Sequence, residues 1–388
     1  MNRLSIGVMS RSGKVDERRL PLHPLHLDQI DADVRGRIYL EQGYGEQFGM
    51  PDERLAPLVG GLLPREQLIA ECDVILLAKP LLADIGQLRE GQILWGWPHC
   101  VQDPALTQLA IDKKLTLIAF EAMNEWTADG DFKRHILQKN NELAGYASVV
   151  HALSLVGSTG VYGRPLRAAV IGSGSTARGA VTALGAHGVT DVSLVTPRAI
   201  APGSVFDAAR IVPLVREDGA GDSGGVAAGS VDSVLVEGKR MPLPDFLAGH
   251  DVIVNCVLQD PNQPLTFLRD ADLALLAPGT LVVDVSCDAG MGFAWARPTT
   301  FANPVFTVGD NVTYYAVDHS PSYLWDSATW EISAALLPYL EDVLRGENAW
   351  GADETLRRAI EIRNGVIQNP SILAFQNRSA DYPHLPLA

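Results

Sequence analysis

The sequence has few cysteines and no pattern among them. Cys72, Cys100, Cys256 and Cys287 are scattered over 388 residues without a Cys-x-x-Cys pair. That argues against a zinc site or a disulfide framework and points to reduced thiols in a cytoplasmic setting. No apolar run approaches the roughly 18–20 residues that a membrane helix needs. The N-terminal stretch reads as a strand and is too short for a signal peptide. Basic residues are outnumbered: 31 Lys and Arg stand against 46 Asp and Glu, a net charge of -15. Neither nucleic acid nor an anionic membrane is expected as a partner. Internal repeats are absent. What is present, 47% apolar and 20% charged residues, is ordinary for a globular chain, and the length suffices for two domains.

Strand and helix signals alternate along the first third. Residues 3–8, 37–41, 72–77, 92–95 and 115–120 read as strands, and 24–31 as a short helix. Alternation of this kind predicts a mostly parallel sheet covered by helices. Residues 140–157 read as a long helix whose small and apolar positions suit burial between domains. A second sheet is predicted from strands at 168–171, 191–195, 251–257 and 280–285. A Gly/Ala/Ser/Asp-rich stretch near 216–236 reads as a flexible surface insertion. Residues 329–344 read as one helix returning to the first domain. The proline-dotted tail from Asn369 is expected on the surface or against a neighbour.

The most informative segment is Arg167-Ala-Ala-Val-Ile-Gly-Ser-Gly-Ser-Thr-Ala-Arg-Gly179. An apolar run ends in Gly172, Ser173, Gly174, Ser175, Thr176 and Ala177, then opens into a helical pattern. That order suits a dinucleotide pyrophosphate: Gly172 permits the tight turn, Gly174 admits the phosphates, and Ala177 keeps the helix close to the sheet. The fold expected is α/β, with two Rossmann-like domains built on parallel sheets. Residues 1–138 and 322–388 would form a discontinuous substrate and catalytic domain, completed by C-terminal helices. Residues 139–321 would form the dinucleotide-binding domain.

Several residues are candidates for chemistry. Arg18 and Arg19 follow the first strand, where an arginine fork can grip a carboxylate, or simply make surface ion pairs. Lys79 ends the strand 72–77, where a side chain reaches the ligand cleft, unless it snorkels to the surface. His99 follows the strand 92–95 and can shuttle a proton near neutral pH, or serve as a hydrogen-bonded structural residue. Asp284 reads as a strand-end packing residue. Asp288, beside Ala-Gly, is either an active-site carboxylate favouring a cationic nitrogen or a turn former. At the position that reads the adenosine ribose the chain has Thr196-Pro197-Arg198 in place of an acid. A 2′-phosphate paired with Arg198 would make the cofactor NADP, with NAD possible. Cys256 and Cys287 read as structural thiols.

Together with Glu17-Arg-Arg-Leu-Pro-Leu, Gly96-Trp-Pro-His, Ala144-Gly-Tyr-Ala, Asp284-Val-Ser-Cys-Asp-Ala-Gly and Tyr314-Tyr-Ala-Val-Asp-His-Ser-Pro-Ser, the chain resembles the alanine dehydrogenase/pyridine nucleotide transhydrogenase superfamily. Within it, the chain is most similar to the opine-type carboxyethylornithine synthases. The resemblance implies that Arg19 grips the substrate carboxylate, Lys79 contacts the keto acid, His99 is the acid/base and Asp288 lies beside the nicotinamide. His319 falls at a substrate position where relatives carry Asn. Pro-Leu-Leu after Lys79, and Asp288-Ala-Gly in place of Asp-Gln-Gly, depart from the alanine dehydrogenases. The implied reaction joins a pyruvate-like 2-oxo acid to the side-chain amine of ornithine or lysine, in a homo-oligomer. The alternatives are oxidative deamination of an amino acid, a saccharopine-type dehydrogenase, and a non-catalytic cofactor-binding sensor.

Overall fold

The structure, a computed structural model, describes residues 3–215, 232–259 and 264–387. It divides into two compact units. One comprises Met1–Gln138 and Trp325–Ala388, the other Lys139–Leu324.

The first unit is built on an eight-stranded sheet. Its six parallel strands, in spatial order, are Gly61–Leu63, Ile38–Glu41, Ile6–Val8, Val74–Leu77, Ile93–Gly96 and Thr116–Ala119. Numbered along the chain this order is 3-2-1-4-5-6, the doubly wound arrangement. Val74–Leu77 and Thr116–Ala119 are buried at every position. Helices cover both faces of such strands, which is why they are apolar runs rather than alternating patterns. The C-terminal segment adds two strands, Ile360–Arg363 running antiparallel beside Thr116–Ala119, and Val366–Ile367. So the C-terminal part contributes a sheet edge as well as helices. Apolar clusters on the two faces, one around Ile6, Trp95 and Leu336 and the other around Ile75, Leu94 and Ile111, form the core.

One expectation for this region changes. Residues 329–344 are not one helix: Trp325–Leu336 is followed by a 3-10 turn, Leu337–Tyr339, and a short helix, Leu340–Arg345. Pro338 supplies no N–H and its ring blocks the preceding turn. The tail from Asn369 lies largely on the surface, held to this unit by buried anchors. Asn369 caps a helix, Pro370–Phe375. Arg378 is buried, donating to Gln108 Oε1 at 2.7 Å, and the buried His384 Nε2 accepts from Ile367 N at 3.0 Å.

The second unit repeats the topology. Arg210–Val215, Asp191–Thr196, Arg167–Ile171, Val252–Asn255, Leu281–Asp284 and Val312–Tyr315 lie side by side and parallel, again 3-2-1-4-5-6 along the chain. An antiparallel pair, Ser233–Val236 and Lys239–Pro242, extends one edge, and Val305–Val308 extends the other. Residues 216–231 of the glycine-rich insertion lie outside the described residues. Ser233–Val236, at its far end, is strand. The long helix is Gln138–Leu155. It packs closely on Ser175–Ala186, because Gly179 lets the helix backbones meet: a Cβ there would collide with the Glu142 carbonyl.

Among the described residues, no helix is long and apolar enough to cross a membrane.

Candidate active site

In the first unit the candidate residues gather at the carboxyl ends of neighbouring parallel strands, the edge where ligands bind in open α/β sheets. Arg19 lies in the loop after Ile6–Val8, Lys79 follows Val74–Leu77, and His99 follows Ile93–Gly96. Arg18 and Arg19 separate. Arg18 lies over Trp325 at 4.8 Å, while Arg19 turns inward, is 6% exposed and stacks over Trp97 at 5.1 Å. Glu17 holds the Arg19 guanidinium by two charge-assisted bonds, Nε to Oε1 at 2.8 Å and Nη2 to Oε2 at 2.5 Å. The fork therefore already carries a carboxylate along one edge, which fixes its plane.

Lys79 is half-buried. His99 has a left-handed backbone, φ 50°, uncommon for a residue with a Cβ. The turn is held by Glu121, whose Oε1 accepts the His99 N–H at 2.6 Å and lies 3.7 Å from its Nδ1. Glu121 follows the next strand, Thr116–Ala119. Burial, reinforced by the charge of Glu361, pushes its pKa up, and the Lys79 ammonium opposes that rise. Glu121 thus brings Lys79 and His99 into one electrostatic cluster. Sequence reasoning misses it, although it follows the expected strand 115–120 much as Lys79 follows 72–77. A cavity of about 750 Å³ in this unit, walled by Phe48, Trp325 and Trp330, contains none of the predicted residues.

In the second unit the glycine turn leaves the first strand, Arg167–Ile171, whose parallel neighbours on either side are Asp191–Thr196 and Val252–Asn255. This is the switch point of the sheet. Gly172 has φ 107°, and a Cβ there would sit 3.1 Å from the Cys256 carbonyl oxygen. Only glycine fits without strain. A Cβ at Gly174 would meet nothing within 4 Å, so the backbone stays open to a ligand. Ser175, Thr176 and Ala177 precede the first helical hydrogen bond, Arg178 N to Gly174 O at 3.1 Å. Their N–H groups suit a pyrophosphate. Ala177 is fully buried, as a helix laid close on the sheet requires.

Thr196 is buried, and its hydroxyl binds Ser173 Oγ at 2.9 Å and accepts from Arg198 N at 3.1 Å. It therefore ties the glycine turn to the turn that carries Arg198. Arg198 itself is exposed, and the strand before it ends in Thr196 rather than an acid.

Asp284 is fully buried and accepts from Asn255 Nδ2 at 2.9 Å, Tyr314 Oη at 2.6 Å and Cys287 N at 3.1 Å. Burial pushes its carboxyl up to about 6. It locks the strand ends beneath Asp288, which is half-buried and whose pKa is also raised by burial. Burial raises the Cys256 thiol well above its ordinary range, which makes it inert. His319 belongs to this unit. It is buried, with Nδ1 2.6 Å from Asp318 Oδ1 and its ring edge-on to Phe301 at 4.9 Å.

A glycine turn at the switch point, backed by a pyrophosphate-ready helix, defines a dinucleotide-binding α/β protein, and its relatives make it a nicotinamide-dependent oxidoreductase. The chain matches the N-terminal domain of the Alanine dehydrogenase/PNT family over residues 10–134 and its C-terminal domain over 150–370. It belongs to that family. It is 25% identical over 331 residues to an N(5)-(carboxyethyl)ornithine synthase of Clostridium botulinum, covering 82% of this chain and 89% of that one. It is 26% identical over 367 residues to an alanine dehydrogenase of Mycobacterium tuberculosis, covering 90% and 89%. An L-alanine dehydrogenase structure shares the fold with a TM-score of 0.71 at 18% identity, covering 96% of this chain and 99% of that one. A transhydrogenase from Sinorhizobium meliloti does so at 0.68 and 17%, covering 94% and 99%.

Proposed function

We propose that this protein is an NADP-dependent opine-type oxidoreductase acting on CH–NH bonds. It joins a pyruvate-like 2-oxo acid to the side-chain amine of ornithine or lysine. The observation that carries this reading is the Arg19, Lys79 and His99 cluster at the carboxyl ends of three parallel strands, with Glu17 and Glu121 behind it. Arg19 grips the carboxylate of the 2-oxo acid with the guanidinium edge that Glu17 does not occupy. Lys79 donates to the carbonyl oxygen. Holding both ends of a small acid places the carbonyl carbon for attack by the amine. Attack gives a carbinolamine. We assign His99 Nε2 the proton that lets its hydroxyl leave as water, because Nδ1 faces Glu121. The hydride that reduces the resulting imine comes from NADPH, so the sum is 2-oxo acid, amine, NADPH and a proton giving secondary amine, NADP and water. Asp288 steadies the iminium charge. Gly172 to Ala177 hold the pyrophosphate, and Arg198 pairs with the 2′-phosphate.

A second reading, oxidative deamination of an amino acid, is favoured by the equal similarity to an alanine dehydrogenase, 26% identical. The test is NADPH oxidation with pyruvate and, separately, ornithine, lysine or ammonia, repeated with NADH. Turnover with a diamino acid and not with ammonia supports the opine reading. Turnover with ammonia overturns it in favour of the second.

A further inference from the structure

Behind His99 stand two carboxylates, Glu361 buried and Glu121 half-buried, each with one buried oxygen that is left unsatisfied. Glu121 Oε1 accepts the His99 N–H at 2.6 Å, while its Oε2 is buried and has no hydrogen-bond partner. Glu361 stands on Ile360–Arg363, the strand paired with Thr116–Ala119 that leads into Glu121. It is 3% exposed; its Oε1 accepts from Asn369 Nδ2 at 3.0 Å, and its Oε2 is also buried without a partner. Two anions so placed would repel; Glu361 has the Cys100 thiol beside it as a weak donor, and Glu121 Oε2 has none. Leaving a buried acceptor without a donor is costly, and more so when it is charged. One proton held between the two removes both penalties, as in other carboxylate pairs.

We infer that Glu361 is a positioning residue that shares one proton with Glu121 and so sets the negative charge felt by His99. The inference rests on the reading of His99 as the acid/base. Burial pushes the pKa of both acids up, and Glu361 adds to the rise at Glu121. The other groups facing the pair are Lys79, whose ammonium favours the anion, and the Cys100 thiol, itself raised by burial and by both acids. His135 also approaches; it bonds the backbone of Glu121, and burial lowers its pKa. The pair thus carries a single negative charge at neutral pH, spread over both groups. The C-terminal segment supplies the second acid, so it reaches the chemistry without touching substrate.

Glu361→Gln tests this. The amide matches the acid in shape, keeps an acceptor for Asn369 and cannot ionise. Relieved of repulsion, Glu121 holds the full negative charge and stabilises the His99 imidazolium. The His99 ring resonances, assigned with His99→Gln, should then titrate at higher pH, with the ionisation equilibrium changed about tenfold. Glu121→Gln should move them the other way. In the infrared, the wild type should show at neutral pH a protonated-carboxyl band that both variants lose. A wild type without that band, or a band and a His99 titration unmoved by Glu361→Gln, overturns the inference. Both readouts need no substrate. Failure of the proposed reaction appears instead as missing turnover while these signals behave as described.

Discussion

Glu17 and Arg19 are two positions apart, yet they form a buried two-bond pair, at 2.8 and 2.5 Å, packed against Trp97. The pair is buried rather than a surface ion pair. Glu17→Gln keeps the shape but weakens the hold on the guanidinium plane. The KM for the 2-oxo acid should rise about tenfold, a loss of about 1.4 kcal/mol in binding, with kcat far less affected. Steady-state kinetics with the 2-oxo acid varied will show it. An unchanged KM would mean that Arg19 does not bind this substrate.

Arg198 is exposed and immediately follows a strand that ends without an acid. Arg198→Ala should weaken NADPH binding about tenfold or more, while NADH binding changes little, because only the former carries the 2′-phosphate. Titration of nucleotide fluorescence in the absence of other substrates separates the two. Equal losses for both nucleotides would remove Arg198 as the phosphate reader.

Asp284 makes a pH-dependent contribution to stability. Its carboxyl titrates at about 6 in the fold, against an ordinary 3.8. An acid raised in this way stabilises the fold while protonated. That contribution is complete below the unfolded value and is lost as pH rises through about 6. Asp284→Asn has no such loss. Measured by denaturant unfolding, the variant should gain on the wild type by about 2–3 kcal/mol between pH 4 and pH 7. A constant difference across that range would contradict the assignment.

Gly179→Val places side-chain atoms against the Glu142 carbonyl, where even a Cβ does not fit. Overpacking of this kind costs about 1–3 kcal/mol or more. The helix must also shift, taking its N-terminal N–H groups with it. Both a lower melting temperature and weaker nucleotide binding are expected. A lower melting temperature with unchanged nucleotide affinity would show that the turn at Gly172 holds its place without that helix contact.

Much of this architecture is written in local pattern. Buried parallel strands are continuous apolar runs, so most core strands are visible as such, and the glycine turn marks the switch point of the second sheet. The third strand of each sheet is harder to read. Gly61–Leu63 is only three residues and half-exposed. Arg210–Val215 contains Pro213, which argues against a strand interior; it is tolerated because the antiparallel neighbour pairs only with Leu214 and Val215. The C-terminal hairpin did carry a signal, since Asn364-Gly365 between apolar alternations favours a tight hairpin turn, and both residues have positive φ. Lys79 and His99 can be read because strand ends point at clefts. Glu121 stands at such an end too, but its partnership with Glu361 cannot be read: they are 240 positions apart in sequence, and only the pairing of two strands brings them together.

That pairing has a consequence for synthesis. The strand Ile360–Arg363 is translated after every residue of the second unit, yet it is the last strand but one of a sheet begun with Ile6–Val8. On the ribosome the later-starting unit can close first, while the earlier one waits with the apolar Thr116–Ala119 strand unpaired along one side. During that interval the exposed edge is a sticky surface, and a nascent chain halted before its final segment would present it to whatever lies nearby.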